Sequence, residues 1–530
     1  MKAALLAILV ATASLADGIP PSEQPKPKRK AKTKISGAAH TAPAAADEPS
    51  TSSSAAQKKK PVEPARPLAP FVAAAPVSMA VPQACPVTPE PAALATDPKR
   101  GATAACLPAT WPDRSCFAKS PLCERDREVA RIAWQYFRRN TQPTGLVNAV
   151  DGYPSTTLWD TASSLAATLA ARELDLISQK ELDDRVSAML AALQTQKLYR
   201  DELPNKVYDS SKNELADYGN KPVPDGIGYS AIDLARMSSW LDLTSCLQPT
   251  HQFEAEKVLS RWNMCRLVKD GELYGASNDG GEDKSLQEGR TGYEQYAGKA
   301  LAGLGYDVPK ASRYANENAQ RVKVEDVELL ADKRGPKEAG AFNYVTTESY
   351  ALDAMEHGVD EELRPLLNNV MEAQRRRYQR TGLPTATTED HIDREPWFLY
   401  GTLWTDGVPW AVITDSGQDH AQLRVISTKA AVSLATLFPE DPYSAVIMGT
   451  IRSAYDKEKG WYAGVYENGY GYDRALTANT NGIVLEAMLY KMYGPLRALC
   501  RKCRAGMRMP PAFMDAKAVA GHCLPTLKAK

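Results

Sequence analysis

Runs of small apolar residues alternate with more charged, amphipathic runs along most of the chain. Six of the small-residue runs each follow a turn and a polar residue, at residues 157–167, 228–237, 292–302, 346–355, 426–435 and 478–488. A helix that is apolar on most sides is buried, and small side chains let neighbouring helices pack closely. The pattern therefore predicts six helices that form the inner layer of a domain.

The runs between them combine a charged face with an apolar face. They lie at residues 124–139, 179–196, 252–262, 361–380 and 443–454, with a less regular run at 316–331. Helices of this kind keep one face in solvent, which places them in an outer layer. Six alternating hairpins close into an (α/α)6 toroid, so we expect an all-α domain. The N-termini of the inner helices then share one end of the ring.

The N-terminal part of the chain lacks this alternation. Lys2 precedes a short apolar run that ends in small residues, so residues 1–16 are predicted to be a signal peptide and the protein periplasmic or secreted. Residues 17–110 are rich in Ala, Pro and Lys with almost no aromatic residues, which predicts a disordered linker. The toroid is assigned to residues 111–496, and a basic tail that contains cysteines to residues 497–530.

The charge balance narrows the set of partners. The chain has 64 basic and 64 acidic residues, so no global field favours nucleic acid. Lysine-rich runs at residues 26–34 and 58–60 favour a solvated spacer, and the alternative is contact with anionic polymers or lipids of the cell envelope. No run reaches the roughly 20 apolar residues of a bilayer span, so no transmembrane segment is predicted.

The cysteines suit an oxidising compartment. The nine are Cys85, Cys106, Cys116, Cys123, Cys246, Cys265, Cys500, Cys503 and Cys523. Exported proteins use such residues mainly in disulfides. Cys246 and Cys265 flank one predicted helix and could bridge its neighbouring loops, and Cys116 and Cys123 could close a small loop. The odd count leaves one thiol unpaired or a bridge between chains.

Two segments contain residue types that bind metals. Cys500-x-x-Cys503, with His522 beside the last cysteine, is similar to a zinc set, but disulfides are favoured in an exported protein. The acidic run at residues 278–283 lacks the ligand spacing of a calcium loop and is better explained as a turn. The sequence therefore predicts no metal and no cofactor.

Two long loops combine carboxylates with aromatic residues. The first, at residues 381–424, contains Glu389, Asp390, Trp397 and Tyr400. A loop of this length is longer than a connection needs and is usually functional. Aromatic faces stack on sugar rings while carboxylates accept sugar hydroxyls, so this loop is predicted to contact a polysaccharide or oligosaccharide.

The second loop, at residues 461–473, has the same composition and ends at Tyr472 and Asp473. Asn481 follows near the start of the last inner helix, where it either binds substrate or caps the helix. We assign all three to the predicted substrate-binding set.

Two further acids, Asp160 and Glu348, lie in the first turns of inner helices. An acid at that position often only complements the helix dipole. Because the toroid brings the inner N-termini to one end, the two acids are instead predicted to meet Glu389 or Asp390 beside Trp159. Glu348 is assigned as the acid because the residues that follow it are less polar than the surroundings of Glu389.

Four stretches of the chain carry a family resemblance, at residues 153–174, 342–357, 382–429 and 460–489. They resemble an exported bacterial family that is catalogued as a domain of unknown function and is often found near exopolysaccharide genes. In plan that family is similar to the six-hairpin glycosidases, including glycoamylase-like glucanases. The resemblance implies a toroid fold over about residues 120–495, and it brings no assigned reaction.

Three classes of function remain open. The first is a glycoside hydrolase or transglycosylase-like protein that acts on an exported bacterial glucan or exopolysaccharide through paired carboxylates. The second is a non-catalytic polysaccharide-binding or export accessory protein with the same cleft. The third is a polysaccharide lyase, which the acidic loops disfavour because its substrate is acidic. The sequence leaves open whether the protein is an enzyme.

Overall fold

The computed structural model of the protein describes residues 120–279, 282–339, 341–504, 515 and 522–526. The predicted signal peptide at residues 1–16 and linker at 17–110 lie outside these ranges, so both stay predictions. In the part of the chain that the structure describes, no helix is long and apolar enough to cross a membrane.

Helices dominate the described ranges. They are α1 Glu124–Asn140, α2 Leu158–Glu173, α3 Gln179–Thr195, α4 Ala231–Leu247, α5 Gln252–Leu259, α6 Tyr293–Gly303, α7 Pro336–Ala339, α8 Thr347–Leu352, α9 Leu363–Thr381, α10 Thr428–Leu437, α11 Pro442–Ile451, α12 Ala478–Tyr493 and α13 Leu496–Arg504. A π-helical segment, Asp353–His357, continues α8.

Six of these helices form a closed inner ring. Each of α2, α4, α6, α8, α10 and α12 packs against the next in that order, and α12 packs against α2. They contain the six small-residue runs, and every residue of α4 is buried. By contrast α3, α5, α9 and α11 bury only part of their surface and pack outside this ring. The predicted inner and outer layers are therefore present.

Polar caps explain where several inner helices begin. The side chains of Thr157, Ser230, Ser427 and Thr477 each accept a hydrogen bond from a backbone N–H in the first turn of the following helix. Such a cap satisfies one of the N–H groups that a helix start leaves without a partner. These residues are the polar positions that open the small-residue runs in the sequence.

Short strands join the helices, so the all-α prediction is not confirmed. In the described ranges they are β1 Ser155–Thr156, β2 Leu198–Tyr199, β3 Leu203–Pro204, β4 Val207–Asp209, β5 Glu214–Ala216, β6 Gly228–Tyr229, β7 Val268–Lys269, β8 Glu272–Asp279, β9 Glu282–Gln287, β10 Ala319–Val324, β11 Val327–Asp332, β12 Glu389–His391, β13 Phe398–Gly401, β14 Trp404–Thr405, β15 Val408–Pro409, β16 Val412–Ile413, β17 Val425–Ser427, β18 Tyr455–Asp456, β19 Gly460–Tyr466 and β20 Tyr472–Leu476. The residues at 381–424, predicted as a loop, contain the antiparallel sheet β12-β13-β16.

The outer helix predicted at residues 316–331 is wrong. That segment forms the antiparallel hairpin of β10 and β11, and α9 packs on β11. The two turn residues, Glu325 and Asp326, have φ values of 51° and 58°. A two-residue turn with positive φ at both positions matches the twist of paired strands, and the flanking valines favour strand over helix.

The disulfides pair residues that are far apart in sequence. Cys246 on α4 is bonded to Cys500 on α13, and Cys265 is bonded to Cys523 in the tail. The predicted bridge between the loops of Cys246 and Cys265 is therefore wrong, because both cysteines face the C-terminal tail rather than each other. Cys116, the predicted partner of Cys123, lies outside the described residues.

Residues 278–279 and 282–283 of the acidic run belong to the paired strands β8 and β9. Asp283 forms an ion pair with Arg200 at 3.0 Å. The predicted turn falls on residues 280 and 281, which lie outside the described residues, so it stays a prediction.

Candidate functional site

A pocket lies where the N-termini of α2, α10 and α12 meet the strands of the long loop. It is lined by Trp159, Asp160, Glu389, Asp390, His391, Phe398, Lys429, Thr477, Asn479 and Thr480. We call Asp160, Glu348, Glu389, Asp390, Lys429 and Asn479 the site cluster. Each of its charged members is at most 4% exposed, so the pocket is narrow and shielded from solvent.

Lys429, the second residue of α10, is the cation of the site cluster. Its Nζ forms an ion pair with Glu348 Oε2 and lies 3.7 Å from Asp390 Oδ1. Burial lowers the pKa of Lys429, but the charges of Glu348, Asp390 and Glu389 outweigh it and raise that pKa above its ordinary value. The lysine is therefore held as an ammonium by carboxylates from α8 and from β12.

Glu389 and Asp390 enter the pocket from β12. Burial raises the pKa of Glu389 to about 7, against the opposing charge of Lys429. Burial also raises the pKa of Asp390 well above its ordinary value, again with Lys429 opposing. Thr388 joins this strand to α8, because its hydroxyl accepts from the Glu348 N–H at 3.3 Å and donates to Glu389 Oε2 at 2.8 Å.

Several buried polar atoms at the pocket have no hydrogen-bond partner among the described residues. They include Glu389 Oε1, His391 Nε2 and, just behind β12, Asp473 Oδ2. Burial, aided by Lys429, lowers the pKa of His391 to about 3, so the ring is neutral. Because most buried polar groups in proteins are paired, such a concentration of unpaired atoms is typical of a site that binds a polar ligand.

Asp160, the third residue of α2, has two roles. It forms a capping box with Thr157, whose hydroxyl donates to Asp160 Oδ2 at 2.7 Å and accepts from the Asp160 N–H at 3.2 Å. The same side chain lines the pocket. Burial raises the pKa of Asp160 to about 6, although the Thr157 hydrogen bonds and the charge of Lys429 lower it.

Asn479 connects two of the predicted residues. Its amide donates to Glu348 Oε1 at 3.0 Å, and its carbonyl oxygen accepts from Trp159 Nε1 at 3.0 Å. The guanidinium group of Arg236 lies over the Trp159 ring, with its carbon 4.7 Å from the ring centre. The predicted Asp160, Glu348, Glu389 and Asp390 therefore share one pocket region with Trp159.

Sequence reasoning missed both Lys429 and Asn479. Glu348, Lys429 and Asn479 are each the second residue of an inner helix, so comparing that position across the six runs would have singled them out. Asn481 was chosen instead, and it is buried away from the pocket. Its amide accepts from the Trp461 N–H at 2.8 Å and donates to Thr477 O at 3.0 Å, which ties α12 to β19.

Of the aromatic residues predicted to bind substrate, Trp159 lines this pocket, whereas Trp397, Tyr400 and Tyr472 do not. Tyr400 is 3% exposed and stacks on Tyr344 at 3.7 Å between ring centres. Tyr472 is 36% exposed, and its ring packs against Tyr462. Trp397 lies in the connection between β12 and β13 with a φ of 75°. From these positions the three residues are suited to support the long loop and to form its outer edge.

Asp473 is fully buried on β20. Its Oδ1 accepts from the N–H groups of Asp393 at 2.9 Å and Ala475 at 3.2 Å. Burial raises the pKa of Asp473 well above its ordinary value, and Asp390 adds to this effect. Asp473 therefore fixes the long loop near Asp390 by accepting a hydrogen bond from the Asp393 backbone.

Two further inner-helix acids, Asp233 on α4 and Glu294 on α6, are also buried. Burial, Glu288 and Asp160 raise the pKa of Asp233 well above its ordinary value. Burial raises the pKa of Glu294 to about 7, while an ion pair with Arg334 opposes this. Asp233 extends the acidic surroundings of Asp160, whereas Glu294 is committed to its own arginine.

The cluster combines an ion pair with carboxyl groups whose pKa values lie near neutrality. Groups of this kind exist in both protonation states at physiological pH, which general acid–base chemistry requires. Two carboxyl groups with separated pKa values are the arrangement that glycosidic bond cleavage uses.

Solved structures share this fold. An endo-beta-1,2-glucanase from Chitinophaga pinensis, in complex with sophorotriose and glucose, has 13% identity and a TM-score of 0.53 over 74% of this chain and 100% of its own. A provisionally assigned glucoamylase from Bacteroides caccae has 14% identity and a TM-score of 0.53 over 72% of this chain and 98% of its own. At such identities the likeness shows a helix-rich fold of the six-hairpin glycosidase type.

The sequence comparisons give a family. A search of curated proteins finds no match. The model of a family described as a protein of unknown function, DUF3131, matches residues 128–494. This match covers well over half of the chain, and the chain therefore belongs to the DUF3131 family.

Proposed function

We propose that the protein is a glycoside hydrolase or transglycosylase that acts on a glucan or exopolysaccharide outside the cytoplasm. The observation that carries the proposal is the convergence of Asp160, Glu348, Glu389 and Asp390 around Lys429. Three of these carboxyl groups line one narrow pocket, and Glu348 borders it through its contacts with Lys429 and Asn479. Together they supply the acid and the base or nucleophile that such a reaction needs.

The fold supports the substrate class. The structural neighbour from Chitinophaga pinensis is an endo-beta-1,2-glucanase with sophorotriose and glucose bound. We therefore take β-1,2-linked glucan as the first substrate to test, followed by other bacterial glucans and exopolysaccharides. The disulfides at Cys246 and Cys265 suit a protein exported to an oxidising compartment.

The test is a panel of glucans and exopolysaccharides assayed for newly formed reducing ends. We expect cleavage of at least one glucan, with kcat lowered by about 10²–10⁴-fold in Glu348→Gln and reduced in Asp160→Asn, while the melting temperature stays nearly unchanged. The control is Glu440→Gln, which alters an exposed carboxylate outside the site cluster.

Transglycosylation, which forms no net reducing ends, would appear as products of altered length. Full activity after both substitutions would refute the assignment of these residues. Glycan binding without cleavage or transfer of any polymer would refute an enzymatic role. The protein would then be a polysaccharide-binding or export accessory protein, with the same residues as sugar contacts.

A further inference from the structure

The site cluster holds one cation among several buried carboxyl groups. The groups that face Lys429 are Glu348 from α8, Glu389, Asp390 and His391 from β12, Asp160 from α2 and the uncharged Asn479 from α12. Behind them, Asp473 on β20 faces Asp390. One ammonium cannot balance four buried carboxylates, so some of them must carry protons when the protein is folded.

We propose that Lys429 is a positioning residue that divides the site cluster by charge, holding Glu348 as the carboxylate and leaving Glu389 as the carrier of the transferable proton. This inference rests on the proposed function, and it reverses the role expected for Glu348 from the sequence.

The contacts of Glu348 support its assignment as an ionised carboxylate. One of its oxygens is paired with the Lys429 ammonium, and the other accepts a hydrogen bond from the Asn479 amide. Protonation would weaken the pairing with Lys429, so the resting state is the carboxylate, and each oxygen keeps a second lone pair that can accept a proton from water during the reaction. Both contacts come from residues at the starts of inner helices, so the geometry of the ring itself maintains this state.

The contacts of Glu389 differ from those of Glu348. Its Oε2 accepts from the neutral hydroxyl of Thr388, and its Oε1 has no hydrogen-bond partner among the described residues. Lys429 reaches Glu348 and Asp390 but forms no ion pair with Glu389 within the described ranges. The pKa of Glu389, raised to about 7 by burial, agrees with a group that is protonated in part at neutral pH.

Asp160 is a poorer acid than Glu389. Its Oδ2 is occupied by the Thr157 hydroxyl, and the capping box ties it to the start of α2. A proton on that oxygen would compete with the cap. Glu389 lies on a loop strand and is not bound into a helix cap, which suits a group that must reach a leaving-group oxygen.

The proposed step balances in atoms and charge. Glu389 gives its proton to the glycosidic oxygen as the bond from that oxygen to the anomeric carbon breaks. Glu348 accepts a proton from the water whose oxygen bonds to the anomeric carbon. The two carboxyl groups then return to their starting states by exchanging one proton with solvent. Lys429 changes neither its bonds nor its charge.

The first arm of the experiment measures stability and does not depend on activity. The melting temperatures of the wild type, Lys429→Met and the double variant Lys429→Met/Glu348→Gln are compared at about pH 5 and about pH 8. Without the cation, buried carboxylates must bind protons, which is easy at low pH and difficult at high pH. We expect Lys429→Met to lose several times more stability at the higher pH, and the double variant to recover most of that loss.

The second arm measures the pH dependence of cleavage. Removal of the cation raises the pKa values of the facing carboxyl groups, so the pH–rate profile of Lys429→Met should move upward by about one unit. The matched control is Lys299→Met, which breaks a partly buried ion pair with Asp353 outside the site and should leave the profile in place. A lysine with only a structural role would lower the rate at every pH without moving the profile.

The third arm separates the two carboxyl roles. An aryl glycoside with an acidic leaving group needs no proton from the enzyme. Glu389→Gln should therefore keep a far larger fraction of its rate on this substrate than on the natural glucan, whereas Glu348→Gln should lose both alike.

The outcomes separate this inference from the proposed function. An equal loss of stability at both pH values, or a double variant no more stable than the single one, overturns the ion-pair division even if no glucan is cleaved. A pH–rate profile that stays in place in Lys429→Met overturns the role of Lys429. If Glu348→Gln, and not Glu389→Gln, keeps its rate on the aryl glycoside, the assignment of the acid is overturned. A wild type inactive on every glucan refutes the proposed function and, with it, the reaction roles, while the stability arm still tests the charge division.

Discussion

Two buried charge clusters occupy the inner ring, and they are built differently. The axial cluster consists of Ser163, Arg236, Trp240, Tyr296, Glu356 and Glu486, contributed by α2, α4, α6, the π-helical segment and α12. All of its members are on the inner ring. The site cluster lies at the N-terminal end of the same helices, and two of its acids come from a loop strand.

The two clusters differ in how fully their charges are paired. Arg236 forms ion pairs with Glu356 at 2.6 Å and with Glu486, and Tyr296 donates to the same Glu356 oxygen at 2.9 Å. These contacts tie several inner helices together. In the site cluster, carboxyl groups of intermediate pKa line a pocket. Under the proposed function, similar buried ion pairs serve packing in the axial cluster and proton transfer in the site cluster.

The largest effect is expected from breaking the axial cluster. Arg236→Met leaves Glu356 and Glu486 buried without their cation, which should cost about 3–5 kcal/mol of unfolding free energy. Denaturant unfolding at neutral pH measures this loss. The position of the pH–rate profile should not move, and a shifted profile would show that the two clusters are not separate.

A matched pair of substitutions compares how much each of the two clusters contributes to kcat. Glu348→Gln in the site cluster should lower kcat by about 10²–10⁴-fold, because it removes a proton-transfer group. Glu486→Gln in the axial cluster should leave kcat nearly unchanged. Glu486 pairs with Arg236 and does not line the pocket. Equal losses of kcat in both variants would contradict the distinction between the site cluster and the axial cluster.

The pH dependence of stability should report the site cluster. The pKa values of Asp160 and Glu389 are raised to about 6 and about 7 in the folded protein, mainly by burial, against about 4 in the unfolded chain. Their stabilising contribution is therefore complete below about pH 4 and is lost as the pH rises through 6 and 7. We expect a decline on the order of 2–4 kcal/mol in this window.

The control for this decline is the double variant Asp160→Asn/Glu389→Gln, in which neither group titrates. Its unfolding free energy, measured at several pH values, should be flatter over the same window. A wild-type curve that rises from pH 5 to pH 8 would contradict the raised pKa values.

The smallest effect is expected at the bridge between Trp159 and Glu348. Asn479→Ala removes one hydrogen bond to each of them and should lower kcat by about five- to tenfold. Asn481→Ala, two residues along, removes the tie between α12 and β19 and should lower the melting temperature instead. Steady-state kinetics and thermal melts on both variants check this contrast. It would be refuted if the two variants changed kcat and the melting temperature to the same extent.

The predicted inner helices correspond closely to the observed ones because their signals are local. Small apolar runs preceded by Thr or Ser encode both burial and a helix start, as at Thr157 and Thr477. The hairpin of β10 and β11 was missed because its charged residues resemble those of an amphipathic helix over a short window. The disulfide partners were missed because the bonded cysteines lie 254 and 258 residues apart.

The sequence alone determined that acids stand at the starts of inner helices and in an aromatic-rich loop. Whether those acids meet depended on closure of the ring, since Asp160 and Lys429 come together only when α12 packs against both α2 and α10. The charge states of the cluster also depended on tertiary structure, because burial and the distance to one ammonium set each pKa. Local patterns record helix starts and buried faces, whereas contacts between distant segments arise only after the chain has folded.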